Sequence, residues 1–287
     1  MEPQTLSSSI VQNFTPTRKS TSRKGDNGIV LVVGGSYIYH GAPVLSSLAA
    51  LRCGTDLVYT CVPKINVTPT RAISPNLIVI PLVDQKLTLG AVKKLVGALP
   101  RNLHSATIGM GLAIQEKNSL LHLVKSLLDR DVRLSLDASA LIPEVLPILA
   151  HKNVVVTPHA GEFKRLFGDV PSDSNLERIK LVEENALKHG ITILLKGPTD
   201  IISDGKITYL CEKNTPAMTV GGTGDVLSGL VAGLLSTNRN TLESAAAASY
   251  ICGLAGKEVQ EKLGLHITSM DLIDSIPSVM KPFDKII

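Results

Sequence analysis

The chain has 287 residues, of which 44% are hydrophobic and 19% are charged, so it can bury a large core and is not disordered as a whole. Its 29 Lys and Arg residues exceed its 25 Asp and Glu residues by a net charge of +4, an excess too small to indicate nucleic-acid binding. No run of about 18 apolar residues is present, so no membrane span is predicted. Four cysteines in apolar segments, with no CxxC pair, indicate buried thiols in a reducing compartment and a cytoplasmic protein.

The N-terminal residues differ in composition from the rest of the chain. Residues 1–23 are rich in Ser and Thr and lack the apolar stretch of a secretory signal. Basic residues such as Arg18 and Arg23 leave an organelle presequence open, although Glu2 and the absence of a helical stripe argue against one. We expect residues 1–23 to form a flexible N-terminal tail. No Pro/Gly/Ser-rich linker and no repeat follows residue 24, so residues 24–287 are predicted to form a single domain.

Short apolar runs alternate with segments of helical spacing along the chain. The predicted strands cover residues 29–33, 57–62, 77–81, 106–109, 132–136, 153–157 and 191–196. The predicted helices cover residues 42–53, 89–99, 116–129, 161–167, 174–189, 225–235 and 242–263, with a short last helix near Asp271. Two further runs, 200–203 and 206–211, flank Asp204-Gly205, which is a strong signal for a two-residue hairpin.

This order of elements is typical of an α/β fold, in which a mostly parallel sheet has helices on both faces. The hairpin predicts an antiparallel pair at one edge of that sheet. Gly109-Met110-Gly111 lacks the third glycine of the dinucleotide-binding fingerprint, so a Rossmann fold is disfavoured and these glycines are expected to line a cleft. Ligands of such sheets bind at the carboxyl ends of the strands, where the candidate functional residues are therefore sought.

The strongest functional signal is the run Gly221, Gly222, Thr223, Gly224 and Asp225 at the start of an apolar helix. A glycine-rich loop and the free N–H groups of the helix that follows it form an anion hole suited to phosphate oxygens. It is not a Walker loop, because no Lys-Ser or Lys-Thr follows the last glycine. Asp225 either caps the helix or takes a proton from a hydroxyl that attacks phosphorus, and the three glycines favour the second role. We expect the helix dipole to keep Asp225 ionised at neutral pH.

Two other strand ends carry candidate binding residues. His159 and Glu162 lie three residues apart at a helix start, where they act either as a capping pair or as ligand-binding groups. In the second case Glu162 is placed to hold Mg²⁺ directly or through water. Lys196, followed by Gly197-Pro198, is either a solvated lysine or a contact to a polyphosphate.

Several strings, taken together and in order, resemble the NAD(P)H-hydrate dehydratases that use ATP or ADP, a family of the ribokinase-like superfamily. The resemblance covers nearly the whole chain from Lys24. It rests on NTPAMTVGGTGDVLSG at 214–229 and on KGDNG, VVGGS, HGAP, GMGL, LDASAL, TPHAGEF and LKG at 24–28, 32–36, 40–43, 109–112, 136–141, 157–163 and 195–197. It implies a ribokinase-like three-layer sandwich, with the mostly parallel sheet as its middle layer.

The resemblance also implies site residues. Asp225 is the base that activates the substrate hydroxyl and contacts the substrate, and Glu162 lies near Mg²⁺, reached through water. The transferred phosphoryl group is assigned to Gly221, Gly222, Thr223 and Gly224. The adenine nucleotide is assigned to Gly224 together with Lys196, Gly197, Pro198, Thr199 and Asp200. The hydrated nicotinamide is assigned to Ala42, Gly111 and His159.

The reaction that the resemblance implies is phosphorylation of the ring hydroxyl of (6S)-hydrated NADH or NADPH, after which phosphate leaves and the reduced dinucleotide is restored. The co-substrate is ADP or ATP with Mg²⁺, and ADP is slightly favoured as the donor. The chain has no epimerase-type second domain, so we expect it to act on one epimer. A homotetramer with small-molecule partners is also implied.

Four positions depart from the family pattern: His40, Ser139, Thr215 and Ala217, where Thr, Asp, Asn and Gly are usual. None of these departures removes a catalytic group, but they leave the fine substrate geometry open. Two other functions also stay open. One is a small-molecule kinase of the same superfamily, acting on a vitamin or sugar whose phosphorylated form is kept. The other is a nucleotide-binding regulator without turnover, which would need no carboxylate such as Asp225 beside the glycines.

Overall fold

The computed structural model describes residues 2–171, 174–213 and 215–287. Met1, the first residue of the predicted tail, and Asn214, which begins the string around the glycine loop, lie outside the described residues, as do Ser172 and Asp173. None of the described helices combines the length and the apolarity that a membrane-crossing helix needs.

The described residues contain ten strands, which are β1 (Gln4–Thr5), β2 (Ile29–Val33), β3 (Leu57–Pro63), β4 (Ile78–Leu82), β5 (Ser105–Ile108), β6 (Arg133–Leu136), β7 (Val154–Val156), β8 (Thr192–Leu195), β9 (Thr199–Ser203) and β10 (Thr208–Glu212). They form one sheet in the order β1-β10-β9-β8-β7-β6-β5-β2-β3-β4. Strands from β8 to β4 in this order are parallel, whereas β9 is antiparallel to both β8 and β10. The mostly parallel sheet with an antiparallel hairpin is therefore confirmed, although β1 and not the hairpin occupies the outermost position.

The α-helices of the described residues are α1 (Ser8–Phe14), α2 (Ala42–Arg52), α3 (Val67–Ile73), α4 (Leu89–Ala98), α5 (Lys117–Leu128), α6 (Leu146–Leu149), α7 (Ala160–Phe167), α8 (Asn175–His189), α9 (Thr223–Thr237), α10 (Thr241–Leu263) and α11 (Ser269–Met280). They cover both faces of the sheet. Leu31 of β2 packs in one core with residues of α4, α5 and α8. Its neighbours Val30 and Val32 pack in another with Ala50 of α2 and Ala232 of α9. This alternation, in a strand whose five residues are all buried, is that of a sheet covered on both faces, which confirms the three-layer fold.

The parallel strands bring several polar side chains to one edge of the sheet. Asp137 directly follows β6, Thr157 directly follows β7 and Lys196 directly follows β8. These strands are parallel neighbours, so the three residues leave the sheet at the same edge. Helix α9 is fixed beside α2, since the Ser46 hydroxyl donates a hydrogen bond of 2.7 Å to the Asp225 carbonyl. The fold therefore defines the place at which a site can form.

At the N-terminus the structure corrects the predicted flexible tail. Gln4 and Thr5 of β1 pair in parallel with β10, so this segment adds a strand to the sheet. Phe14 of α1 is buried and its ring lies edge to face against Tyr209 of β10, with 5.5 Å between the ring centroids. The apolar residues that anchor this segment are few and are separated by Ser and Thr. Its hydrophobic pattern is therefore too short to predict the strand or the helix.

We expect Phe14→Ala to lower the free energy of unfolding by about 3 kcal/mol, because truncating a buried aromatic side chain removes its contacts and leaves a cavity. Asn13→Ala, at an exposed position of the same helix, should change it by less than about 0.5 kcal/mol. Urea unfolding of the two variants measures both values. A flexible tail predicts near-zero effects for both, and that result would contradict the packing of α1.

Candidate active site

The glycine loop is held in place by its neighbours in space. Gly222 has a φ of +94°, and a Cβ atom there would lie 2.6 Å from Cδ1 of Leu45 and 2.7 Å from Oγ of Ser269, so this position requires glycine. The Ser269 hydroxyl donates to the Gly221 carbonyl at 2.7 Å, and the Thr223 hydroxyl donates to the Met218 carbonyl at 3.1 Å. Helices α2 and α11 thus fix the loop from two sides.

The start of α9 has the form of an anion-binding site. Its N-cap is Gly222, and no side chain caps the helix. The first N–H groups of a helix have no partner within the helix, so those of α9 are free to bind an anion, and the helix dipole favours one. Asp225 is the third residue of the helix and not its N-cap, so the plain capping interpretation of Asp225 is wrong.

A buried ion-pair cluster lies next to this loop. The Nζ atom of Lys196 is 2.9 Å from Oδ1 of Asp137 and 3.5 Å from Oε2 of Glu162. The side chains of Asp137, Glu162 and Lys196 are only 3%, 10% and 18% exposed. Burial disfavours the charge of Lys196, but the two carboxylates outweigh burial and raise the pKa of its ammonium group. Lys196 therefore stays charged between two carboxylates, which rules out the open alternative of a solvated lysine.

Asp137 is a site residue that the sequence analysis does not single out. It follows β6 within the string LDASAL, and its Oδ1 atom also accepts a hydrogen bond of 2.9 Å from the Thr157 hydroxyl. An acidic residue directly after a buried strand is the signal that points to it. Its importance becomes clear only from the contact with Lys196, 59 residues away in sequence.

The carboxyl group of Asp225 has a raised pKa of about 7. Burial is the main cause, the charges of Asp137 and Glu162 add to it, and Lys196 partly offsets it. The expectation that Asp225 is fully ionised at neutral pH is therefore wrong. The helix dipole favours the anion, but burial and two nearby carboxylates outweigh it.

His159 and Glu162 form a capping box at the start of α7. The Nδ1 atom of His159 accepts hydrogen bonds from the N–H groups of Gly161 and Glu162, at 3.0 and 3.3 Å. Oε2 of Glu162 accepts one from the N–H group of His159, at 2.9 Å. The capping interpretation is thus confirmed, yet the His159 side chain is 60% exposed and Glu162 faces Lys196. The cap fixes both side chains at the site.

A cavity of about 620 Å³ opens beside the start of α9. Its walls bring together six of the predicted residues, namely His159, Lys196, Gly197, Pro198, Thr223 and Gly224. Lys213, Met218, Thr219 and Leu227, which the sequence analysis does not single out, also line it. The nucleotide residues predicted at 196–198 therefore share one cavity with the glycine loop. His159, predicted for the nicotinamide, lies in this cavity as well.

Asp200 does not line this cavity. It is fully buried, and its carboxylate accepts hydrogen bonds from the N–H group of Gly197 at 3.0 Å and from the Ser249 hydroxyl at 2.7 Å. It also pairs with Nζ of Lys213 at 2.6 Å. Asp200 therefore holds the turn at 196–198 in shape, while Thr199 begins β9 and pairs with Glu212 of β10.

Ala42 and Gly111 lie together, outside the lining of the 620 Å³ cavity. A Cβ atom at Gly111 would be 3.3 Å from Cβ of Ala42. Ala42 is the first residue of α2 and precedes Ser46, the contact of Asp225, by one helical turn. These two predicted substrate residues therefore lie at the start of α2, one helical turn from the contact with the Asp225 backbone.

The carboxylates near Lys196 are arranged to contact Mg²⁺ through water and not directly. Among residues 2–171, 174–213 and 215–287, no group of three or more His, Cys, Asp or Glu side chains is arranged to hold a metal ion. Oε2 of Glu162 already accepts a hydrogen bond from the N–H group of His159. Because Mg²⁺ commonly keeps several waters and binds substrate phosphates, Glu162 fits a contact through water.

The chain is similar to known proteins over most of its length. A family model described as NAD(P)H-hydrate dehydratase matches residues 30–278. The chain is 79% identical over 286 residues to the ADP-dependent (S)-NAD(P)H-hydrate dehydratase of Nitrosopumilus maritimus, with 100% of both chains covered. It is 44% identical over 273 residues to a bifunctional NAD(P)H-hydrate repair enzyme of Pyrobaculum aerophilum, covering 94% of this chain and 54% of the other. The ADP/ATP-dependent NAD(P)H-hydrate dehydratase of Bacillus subtilis, co-crystallised with ATP and Mg²⁺, has a TM-score of 0.85 and 26% identity, covering 99% and 100% of the two chains.

The raised pKa of Asp225 predicts how stability depends on pH. The folded protein binds the proton more tightly than the unfolded chain, so the stability due to this carboxyl is present below pH 3.8, its ordinary pKa, and is lost as the pH rises through about 7. Asp225→Asn is neutral at every pH. We therefore expect its Tm, relative to that of the parent, to rise by several degrees between pH 4 and pH 8, as about 1.4 kcal/mol per pKa unit implies.

Asp271→Asn is the matched control, since Asp271 is the third residue of α11 as Asp225 is of α9. Hydrogen bonds from Thr268 lower the pKa of Asp271, so the Tm of this variant relative to the parent should fall as the pH rises toward 3.8, its ordinary pKa, and stay nearly level above that. Thermal unfolding of the three proteins at several pH values gives both trends. If the two variants follow the same trend, the raised pKa of Asp225 is refuted.

Proposed function

The chain belongs to the NAD(P)H-hydrate dehydratase family, and from that premise we propose that it converts the (S) form of hydrated NADH and NADPH back to the reduced dinucleotides with ADP or ATP as co-substrate. The observation that supports this most directly is Asp225, a carboxyl with a pKa of about 7 at the start of a helix that is ready to bind phosphate. ADP is the favoured donor, because the 79% identical relative is named ADP-dependent.

The nucleotide occupies the 620 Å³ cavity in this proposal. The turn at 196–198 and the glycine loop both line that cavity, and a Cβ atom at Gly224 would lie only 3.6 Å from Nζ of Lys196. A terminal phosphate at Gly224 therefore meets the free N–H groups of α9 and the Lys196 ammonium together. Both are groups that stabilise phosphate oxygens.

Asp225 acts as the base in the first step. Its carboxylate takes the proton of the ring hydroxyl as the hydroxyl oxygen forms a bond to the terminal phosphorus, and the bond from phosphorus to the nucleotide breaks. A base with a pKa near 7 accepts a proton far better than an ordinary aspartate, and much of it is still ionised at neutral pH. The burial that makes the ionised form costly thus also makes it effective.

The second step removes phosphate from the ring. The bond from the ring carbon to oxygen breaks, phosphate leaves with the electron pair, and the lone pair of the ring nitrogen replaces the lost bond. A proton is then lost from the neighbouring carbon, which restores the double bond of NADH or NADPH. Phosphorylation is needed because hydroxide is a poor leaving group, whereas phosphate is a good one.

Glu162 and Lys196 arrange charge around the phosphates. Mg²⁺ bound to the nucleotide would neutralise phosphate charge, and Glu162 is the residue of this chain that would reach it through water. Lys196 is held at 2.9 Å from Asp137, so its ammonium is positioned before any ligand arrives. A positioned charge needs no rearrangement at the moment of reaction.

We also propose that the chain forms a homotetramer, as the resemblance implies, and that it lies in the cytoplasm, as its free cysteines indicate. Tyr37, Ile38 and Tyr39, which precede α2, are all exposed, and Tyr39 adjoins Gly111. Clustered exposed apolar side chains are typical of surfaces that another chain covers.

The activity itself is tested by mixing the protein with hydrated NADH and following the absorbance band of NADH. The band should appear with ADP, more slowly or equally with ATP, and not without nucleotide. A kinase that keeps its product would consume nucleotide and accumulate phosphorylated hydrate without restoring the band. A regulator would bind nucleotide with neither change.

We expect Asp225→Asn to lower kcat by roughly 10²- to 10⁴-fold, the usual range for a lost general base, while ADP still binds. Asn has nearly the same shape, and the residue does not cap α9. Steady-state kinetics gives kcat, calorimetry gives the affinity for ADP, and Asp271→Asn serves as the active control. A kcat within a few fold of the parent would leave the loop as a phosphate-binding element and end the catalytic role of Asp225.

Ala42→Trp should block the hydrated nicotinamide and leave nucleotide binding intact. Ala42 adjoins Gly111 and does not line the 620 Å³ cavity, so in this proposal an indole there fills the substrate side and leaves the nucleotide cavity open. We expect kcat/KM for hydrated NADH to fall at least about tenfold, as a loss of about 1.4 kcal/mol gives, with the Kd for ADP within twofold. Normal turnover of the hydrate would place Ala42 outside the substrate site.

A further inference from the structure

A second cavity, of about 580 Å³, lies at the opposite end of the sheet from Asp225. Its walls include Asn27 and Thr55, which lie close to the starts of β2 and β3, and Arg133, which begins β6. Ser236 and Thr237, at the end of α9, also line it. Along α9 the first cavity is lined as far as Leu227 and the second from Gly233 onward, so their walls are six residues, or about 9 Å, apart on this helix.

The walls of this second cavity are strongly basic. Two acidic residues, Asp26 and Asp284, stand against six basic ones, which are Arg18, Arg52, Arg133, Arg239, Lys281 and Lys285. This excess of four positive charges equals the net charge of the whole chain, +4. We call this second cavity the basic cavity.

Some of these positive charges already have partners. Arg18 pairs with Asp56 at 3.5 Å, and Arg52 pairs with Asp274 at 3.6 Å. The ammonium group of Lys285 donates to the backbone carbonyl groups of Gln12 and Thr15. These three basic residues are therefore accounted for by the packing of the N-terminal and C-terminal segments.

The positive charges of Arg133 and Arg239 are not explained by packing of this kind. Within the part of the chain that the structure describes, neither forms an ion pair with a carboxylate. Arg133 donates to the carbonyl oxygens of His104 and Ser236, at 3.2 and 3.3 Å, which orients its guanidinium without neutralising it. Burial and then the charge of Arg239 lower the pKa of Arg133, and the charge of Asp131 offsets this only in part. Two guanidinium groups that line one cavity without an ion pair are a costly arrangement that an anion would relieve.

His104 completes a set of donors around the same space. Its Nδ1 atom accepts a hydrogen bond of 3.0 Å from the N–H group of Ile29, so in the neutral ring the proton lies on Nε2. Burial, Arg133 and Arg239 all lower the pKa of His104, which keeps the ring neutral at physiological pH. His104 therefore lines the same cavity as the two guanidinium groups and carries an N–H group on its neutral ring.

We propose that the basic cavity is a second ligand site, which binds a small phosphomonoester through Arg133, Arg239 and the Nε2–H group of His104. Guanidinium groups match the paired oxygens of a phosphate, and the volume is within the range of about 300–1000 Å³ that small-molecule sites occupy. Pro277, Met280 and Phe283 give the cavity an apolar wall, which suits a base or sugar attached to the phosphate. A nucleoside monophosphate combines both features.

The test follows the ring signals of His104 and His159 by NMR in ¹⁵N-histidine-labelled full-length protein. A nonhydrolysable ATP analogue first fills the 620 Å³ cavity, and inorganic phosphate, ribose 5-phosphate and AMP are then titrated separately. We expect the His104 signals to shift to saturation while those of His159 stay fixed. The order of affinities tells whether phosphate alone, the sugar or the base is recognised.

Arg239→Glu is the decisive variant, because Arg239 is exposed and its reversal removes a charge without breaking a described hydrogen bond. The affinity read from His104 should fall at least about tenfold, the effect of one charge-assisted hydrogen bond. Arg71→Glu changes the net charge equally at an exposed position of α3 and should leave it unchanged. The proposal fails if His104 does not respond to any of the three anions or responds equally in Arg239→Glu. It also fails if the signals change with protein concentration alone, since a second copy of the chain then fills the basic cavity.

Discussion

The contact between the Lys196 ammonium and the carboxylates of Asp137 and Glu162 is the interaction on which the site depends. These two carboxylates reach the same sheet edge as Asp225, and three like charges in a half-buried space repel one another. One lysine lowers that repulsion but does not cancel it. Burial is the main cause of the raised pKa of Asp225 and the remaining repulsion adds to it, so neighbouring residues help to set the basicity of the proposed base.

Much of the fold could be predicted because its signals are local. Apolar runs, helical spacing and Asp204-Gly205 each act over a few residues, and the parallel sheet with its hairpin agrees with them. The glycine loop is likewise visible as a continuous string. The N-terminal strand and helix could not be predicted, since β1 has only two residues and Phe14 is buried by Tyr209, far along the chain.

The candidate site was predictable in its parts but not in its electrostatics. Lys196, Glu162 and Asp225 can each be recognised in the sequence at a strand end or a helix start. The role of Asp137 depends on its contact with Lys196, which lies 59 residues away in the sequence. The sequence shows no cation beside Asp225 and suggests that only the helix dipole acts on it. In the fold, burial raises the pKa of Asp225 most, and the charges of Asp137, Lys196 and Glu162 from other elements change it further, so Asp225 is only partly ionised at neutral pH. His159 and Glu162 show that capping and site chemistry can use the same side chains.

The two outer strands of the sheet affect whether copies of the protein can associate through their sheet edges. Open strand edges are templates for aggregation, and natural proteins block them. At one edge Pro81 stands within β4 and offers no N–H group to an incoming strand. At the other, the two residues of β1 cover β10 at Tyr209 and Leu210. The N-terminal segment therefore blocks the addition of another strand. If it detached, the unpaired N–H and C=O groups of β10, in the hairpin of β9 and β10, would be exposed.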